Sequence, residues 1–156
     1  MKSLFKQFNR WFSVIILIGG INFLAYAQSG EITEEDKNQQ ELRLKEDPRD
    51  FAANFIVGGF FYNLAVDPHI ETTKMKLMEY LEAGTPYEKK KEAFLKKALP
   101  YFENAYAIDK SEPRVKEVLK DIYQHLGMVK MFRAKPEEVQ AQLDEKLKMI
   151  EFKPIN

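Results

Sequence analysis

Chemistry in a polypeptide needs side chains that ligate, ionise or attack, and outside lysine and carboxylate this sequence has few. There is no cysteine and there are two histidines, His69 and His125. Without cysteine there is no disulfide, no thiolate nucleophile and no sulfur metal ligand, and no thiol for lipoprotein-type anchoring. Asp67, His69 and Glu71 alternate beside Pro68 and have metal-ligand side chains. A metal site needs three or four converging ligands held by oriented partners. A solvated turn carrying helix-capping acids fits the same spacing, so neither a metal nor a cofactor is expected. His125 falls near the predicted C-terminus of a helix, where partial positive charge suits the dipole. Ser29 lies in a polar leader and Ser111 in a turn, and no Gly-x-Ser-x-Gly, P-loop or zinc-protease motif occurs. No catalytic residue is therefore assigned and no enzymatic activity is expected. The alternative is an exported hydrolase or cell-wall-modifying enzyme without a recognisable motif, which would need a nucleophile or a paired acid and base in one pocket.

The lysines give no stronger signal. Lys89, Lys90, Lys91, Lys96 and Lys97 are interrupted by Glu88 and Glu92 and spread around a helix, as a solvated face does. All 24 acids lie at or after Glu31, while three of the 24 basic residues lie in the first 27 positions. The remaining chain thus holds 21 basic against 24 acidic residues. That balance carries no electrostatic footprint for nucleic acid.

The first 27 residues are expected to be a secretory signal peptide. Lys2, Lys6 and Arg10 form a basic head, residues 11–24 form an uncharged apolar run, and Ala25-Tyr26-Ala27 supplies small-x-small cleavage chemistry. A spanning helix needs about 20 apolar residues, and Gly19-Gly20 interrupts this shorter run. The expected product starts at Gln28 and is periplasmic or secreted. Membrane contact is expected only if the segment stays uncleaved.

Such a chain must then position its remaining residues by an apolar core alone. Residues 28–40 are polar, with Ile32 the one large apolar residue, and read as a flexible leader. From residue 41 onward the apolar spacing is helical and no stretch alternates like a strand. A short helix is expected over 41–46. Another over 50–66 carries Phe51, Phe55, Gly58, Phe61 and Tyr62 on one side and stops at Asp67-Pro68. A helix over 73–83 carries Met75, Met78 and Leu81 on one stripe and is capped by Gly84. Thr85-Pro86-Tyr87-Glu88 reads as a capping box with proline at the first helical position, opening a helix over 86–108 that Pro100 should kink. Pro113 opens a helix to residue 126, with Val115, Val118, Leu119, Ile122 and Tyr123 on its apolar face, and Gly127 ends it. A last helix follows Pro136, over 137–150, with Val139, Leu143, Leu147 and Ile150 on its stripe.

This arrangement resembles the tetratricopeptide repeat of exported Gram-negative proteins over residues 53–128, about half the chain. Val57-Gly58 with Phe61 resembles the first helix of a repeat, Ala98, Phe102 and Ala105 the second, and Asp109-Lys110 stands where Asp-Pro usually closes the unit. Leu119, Tyr123 and Leu126-Gly127 resemble the next first helix. The resemblance implies an all-α fold over residues 41–152. That fold is a short stack of antiparallel helix pairs, or α-α superhelix, with the helix over 73–83 inserted and the last helix as a C-terminal cap. Gly58 to Ala98 spans 40 residues, where the family has about 12, so the insertion must occupy the difference. The implied function is an exported module binding a protein or peptide partner in the cell envelope, with self-association through uncovered ends. The concave face would present Asn54, Phe55, Phe61 and Tyr62 from one helix and Glu117, Asp121 and Gln124 from another.

Overall fold

The computed structural model describes residues 32–131 and 134–155; the expected signal segment and its cleavage site lie outside them. The first described helix, α1 (Glu34–Glu46), starts inside the stretch expected to be a flexible leader. Thr33 caps it: its hydroxyl accepts from the Asp36 amide at 3.2 Å, and Asp36 Oδ2 accepts from the Thr33 amide at 3.0 Å. This reciprocal pair satisfies two orphan donors, with aspartate serving where glutamate is commoner. The helix is polar almost throughout, so its hold on the domain is local. A Cβ added to Gly59 would lie 2.9 Å from Ile32 Cδ1, so the one large apolar residue of the leader seats on a backbone with no side chain. Gln40 is buried, and Arg43 pairs with Asp50 at the start of the next helix.

Helices α2 (Phe51–Lys74) and α3 (Leu77–Ile108) form one long hairpin. Here the structure departs from the sequence reading. Asp67-Pro68 does not stop α2, which runs on to Lys74 with Pro68 buried inside it. The separate helix over 73–83 is absent: the chain turns at Met75 and Lys76, and Gly84-Thr85-Pro86 lies within α3. The reason is tertiary. A proline costs about 3 kcal/mol in a helix interior, and two long helices packed along each other offset such a local loss. The Tyr80 ring covers Gly84, which is buried, so that glycine serves packing one turn away and not a helix end. The extra residues between Gly58 and Ala98 therefore lengthen both helices, to 24 and 32 residues, or about 36 and 48 Å at 1.5 Å per residue.

Helix α4 (Pro113–His125) is closed by Gly127 at a φ of 64°, where the absent Cβ removes the left-handed penalty. The Met128 amide reaches back to the Tyr123 carbonyl at 2.9 Å. Helix α5 (Pro136–Lys148) follows, and residues 149–155 run on without regular structure. The described residues are all-α, five helices packed into a stack, with no strand among them.

The core sits where the open end of the hairpin meets α4 and α5. Ala98, Phe102, Ala105, Val115, Leu119 and Ile122 are buried there, with Leu143 and Leu147 below them. Each of the larger side chains contributes roughly 1.5–3 kcal/mol on removal from water. A Cβ on Gly58 would lie 3.1 Å from the Phe102 ring and 3.2 Å from Tyr101 Cβ. The bare backbone there lets α2 approach α3 closely. The far end of the hairpin has no such cover: Leu77 is 72% exposed, Met78 66% and Leu81 63%. Of the stripe expected on the helix over 73–83, Met78 and Leu81 face solvent and Met75 is half-buried.

Candidate functional site

The seven residues expected on a concave face do not form one open groove. Asn54 is 1% exposed. Its amide donates to the Pro48 carbonyl at 3.0 Å and to the Asp50 carbonyl at 2.9 Å, fastening the entry into α2. Phe55 meets the Phe102 ring edge-on at 5.7 Å and Phe51 in a stack at 6.1 Å. Phe61 stacks on Tyr101 at 6.1 Å, with Lys37 and Lys97 over it at 5.8 and 5.6 Å. Tyr62 donates to Asp121 Oδ2 at 2.8 Å. Glu117 is exposed and Gln124 half-buried. Five of the seven thus spend their contacts inside the protein. The sequence pattern marks the packed side of α2 correctly, but a short array does not separate packed positions from groove positions.

The metal-type residues are also rearranged. Asp67, His69 and Glu71 stand on α2 and not in a loop. Positions two apart on a helix do not face each other, so His69 diverges from the two acids. It meets His125 instead, ring to ring at 5.6 Å in an edge-on contact. The chain's two histidines, 56 positions apart, are therefore neighbours. His125 Nδ1 lies 3.0 Å from the Asp121 carbonyl oxygen and 3.2 Å from Asp121 Oδ1. These groups line a cleft of about 50 Å³ with Tyr62, Leu95 and Lys91. Burial pushes the Tyr62 hydroxyl far above the usual tyrosine range, and the hydrogen bond to Asp121 and its charge push the same way. Tyr62 thus stays protonated and donates. The cleft has room for one or two waters at about 30 Å³ each. It is far below the several hundred Å³ of a substrate pocket. The described residues contain no group of three or more histidines and carboxylates placed to share a metal ion.

A larger cavity, about 300 Å³, lies between α1, the start of α2 and the second half of α3. Leu44, Pro48, Asn54, Tyr101 and Asn104 line it, and Ile155 from the segment after α5 closes one side. Asn104 is 2% exposed. It donates to the Lys153 carbonyl at 2.8 Å and accepts from the Lys153 amide at 2.9 Å. Burial, and then the Glu41 charge, raise the Tyr101 hydroxyl above its ordinary value. Sequence reading missed this cavity because its parts come from four separated segments. The one available signal was Asn104, a polar residue on the apolar side of α3 between Phe102 and Ala105.

Two lysines of the basic run over 89–97 form local pairs. Lys91 meets Glu88 at 2.7 Å and Lys96 meets Glu92 at 2.5 Å. No helix among the described residues is long and apolar enough to cross a membrane. No protein-family model, curated protein or solved structure matches this chain.

Proposed function

We propose that the chain is an exported interaction module of tetratricopeptide type, a helical scaffold that holds a protein partner in the cell envelope. The observation that carries this reading is the end of the α2–α3 hairpin. Leu77, Met78 and Leu81 stand on one side of α3 at 72, 66 and 63% exposure, and a soluble protein keeps a contiguous apolar patch on its surface chiefly where something binds. The hairpin arms are long helices that set this patch well away from the core. The repeat frame supports the reading as well. Gly58 admits the Phe102 ring, while Ala98, Ala105, Leu119 and Tyr123 are buried at the positions the repeat pattern gives them.

The experiment uses the full chain as bait in an envelope extract, beside the Leu77→Asp/Leu81→Asp variant. Both positions are exposed, so the unfolding free energy should stay within the range of ordinary surface changes, about 0.5 kcal/mol. The expected result is a partner retained by the wild-type chain and lost by the variant. Equal retention by both would sink the hairpin-end assignment. Light scattering on the same pair reports whether the retained partner is a second copy. The competing reading, an exported hydrolase, would centre on Tyr62, Asp121 and His125, which already touch. It requires a turnover activity that Asp121→Asn removes without changing partner capture.

A further inference from the structure

Asn104 treats Lys153 as one strand of a ladder treats another. Its side-chain amide both donates to and accepts from the backbone of a single residue, so it reads the main chain and not the side chain. Lys153 precedes Pro154, and a residue before proline is pushed toward extended backbone. Arg49 adds a second grip, its guanidinium 5.0 Å from the centre of the Phe152 ring. Gln142 makes a similar pair with the backbone of Lys130, at 2.9 and 3.4 Å. What sets Asn104 apart is its surroundings. It is buried, and beside it lies the cavity of about 300 Å³, a volume at the lower end of ligand pockets. The same cavity is lined by a second buried asparagine, Asn54, whose Oδ1 has no hydrogen-bond partner in the protein. A buried acceptor left alone costs about 1–3 kcal/mol, and this one is closed off from solvent at the cavity wall.

We propose that this cavity is a binding groove for an extended polypeptide segment of a partner, and that the chain's own tail, held by Asn104 at Lys153 and reaching the cavity with Ile155, covers one end of it in cis. Asn104 fixes one backbone amide of the occupant, as it fixes Lys153. Leu44, Pro48 and Tyr101 cover an aliphatic side chain, the place Ile155 takes at the rim. A partner segment competes with residues 151–155 for the same asparagine. The inference deepens the module reading and rests on it for the nature of the partner.

The test uses the full chain and a fluorescent synthetic peptide of the sequence Met-Ile-Glu-Phe-Lys-Pro-Ile-Asn, copied from residues 149–156. Lys153→Pro removes the one amide that donates to Asn104 and leaves the groove intact. Fluorescence anisotropy should show the peptide binding this variant about fivefold more tightly than the wild-type chain, the scale of one net hydrogen bond. The same peptide N-methylated at its lysine should bind at least tenfold more weakly. Adding Asn104→Ala to the Lys153→Pro chain should abolish binding while the circular dichroism spectrum holds. No saturable binding to the Lys153→Pro chain would mean that the cavity holds water only, and the proposal falls. Equal binding by the N-methylated peptide, or by the Asn104→Ala chain, would also overturn it. Capture that depends on Leu77 and Leu81 without peptide binding would refute this groove and leave the module standing. Peptide binding without such capture would do the reverse.

Discussion

Tyr62 on α2 and Asp121 on α4 are joined by a 2.8 Å hydrogen bond across 59 positions of sequence. Both helices pack chiefly on α3, and this bond joins the His69–His125 ring contact in linking α2 to α4 directly. The Tyr62 ring also stands edge-on to Phe102 at 6.2 Å, which holds the hydroxyl in place. A hydrogen bond to a charged group contributes about 1.5–3 kcal/mol. Tyr62→Phe and Asp121→Asn should therefore each destabilise, and the double variant should lose less than the sum. Urea unfolding of the four proteins in a double-mutant cycle measures this, and a coupling energy near zero would contradict the assignment.

Alkaline pH should unfold the protein early. The Tyr62 and Tyr123 hydroxyls are both pushed far above the usual tyrosine value, in each case by burial first. Asp121 then acts on Tyr62 through its hydrogen bond and charge, and Glu103, 2.9 Å from the Tyr123 hydroxyl, acts on Tyr123. In the unfolded chain these groups titrate at about 10. Above that value the unfolded state has released protons that the folded state still holds, so stability falls with pH. It is fully present below pH 10 and declines by about 1.4 kcal/mol per pH unit for each tyrosine. Denaturant midpoints between pH 8 and 11.5 should show a downturn that flattens by about one proton in Tyr123→Phe. A flat profile through pH 11 would refute it.

The sequence carried the base of the stack and little of its length. Pro113 and Gly127 bracket α4 because both act through their own backbone, one by fixed φ and one by tolerating positive φ, so they read out locally. Ala98, Phe102, Leu119 and Tyr123 recur at helical spacing and are buried for that reason. Pro68 and the Thr85-Pro86 pair misled because their local signals are real but small beside the contact of two long helices. Nothing in the Met78 and Leu81 periodicity shows that the facing partner is absent. His69 and His125, like Asn104 and Lys153, are brought together only by the tertiary fold, and one-dimensional spacing holds no trace of such pairs.

Helix α1 should depend on Ile32 more than on its own composition. The helix is capped by Thr33 but offers few apolar side chains, with Leu44 half-buried and Leu42 59% exposed. Ile32→Ser removes the contact with Gly59, and Thr33→Ala removes a cap worth about 1 kcal/mol. Hydrogen exchange over residues 34–46 should quicken in both variants, more in the double, while the amides of α4 keep their protection. Uniform acceleration across the domain would show that α1 and the core unfold as one unit.

Two glycines in helix interiors should respond to alanine with opposite signs. By propensity alone each substitution gains about 1 kcal/mol. At Gly58 the added methyl meets the Phe102 ring at 3.1 Å and Tyr101 Cβ at 3.2 Å. Phe102 is 1% exposed and held edge-on by Phe55 and Tyr62, so it has nowhere to go. Overpacking of this kind costs about 1–3 kcal/mol, and the net effect of Gly58→Ala is a loss. At Gly84 the nominal contact is tighter, 2.7 Å to the Tyr80 ring. Tyr80, however, is 39% exposed and can swing outward into water, so Gly84→Ala should keep most of its propensity gain. Thermal unfolding should therefore place Gly58→Ala below the wild-type midpoint and Gly84→Ala at or above it. Midpoints in the opposite order would mean that α2 and α3 can separate at Gly58 at little cost, and the close approach there would lose its structural role.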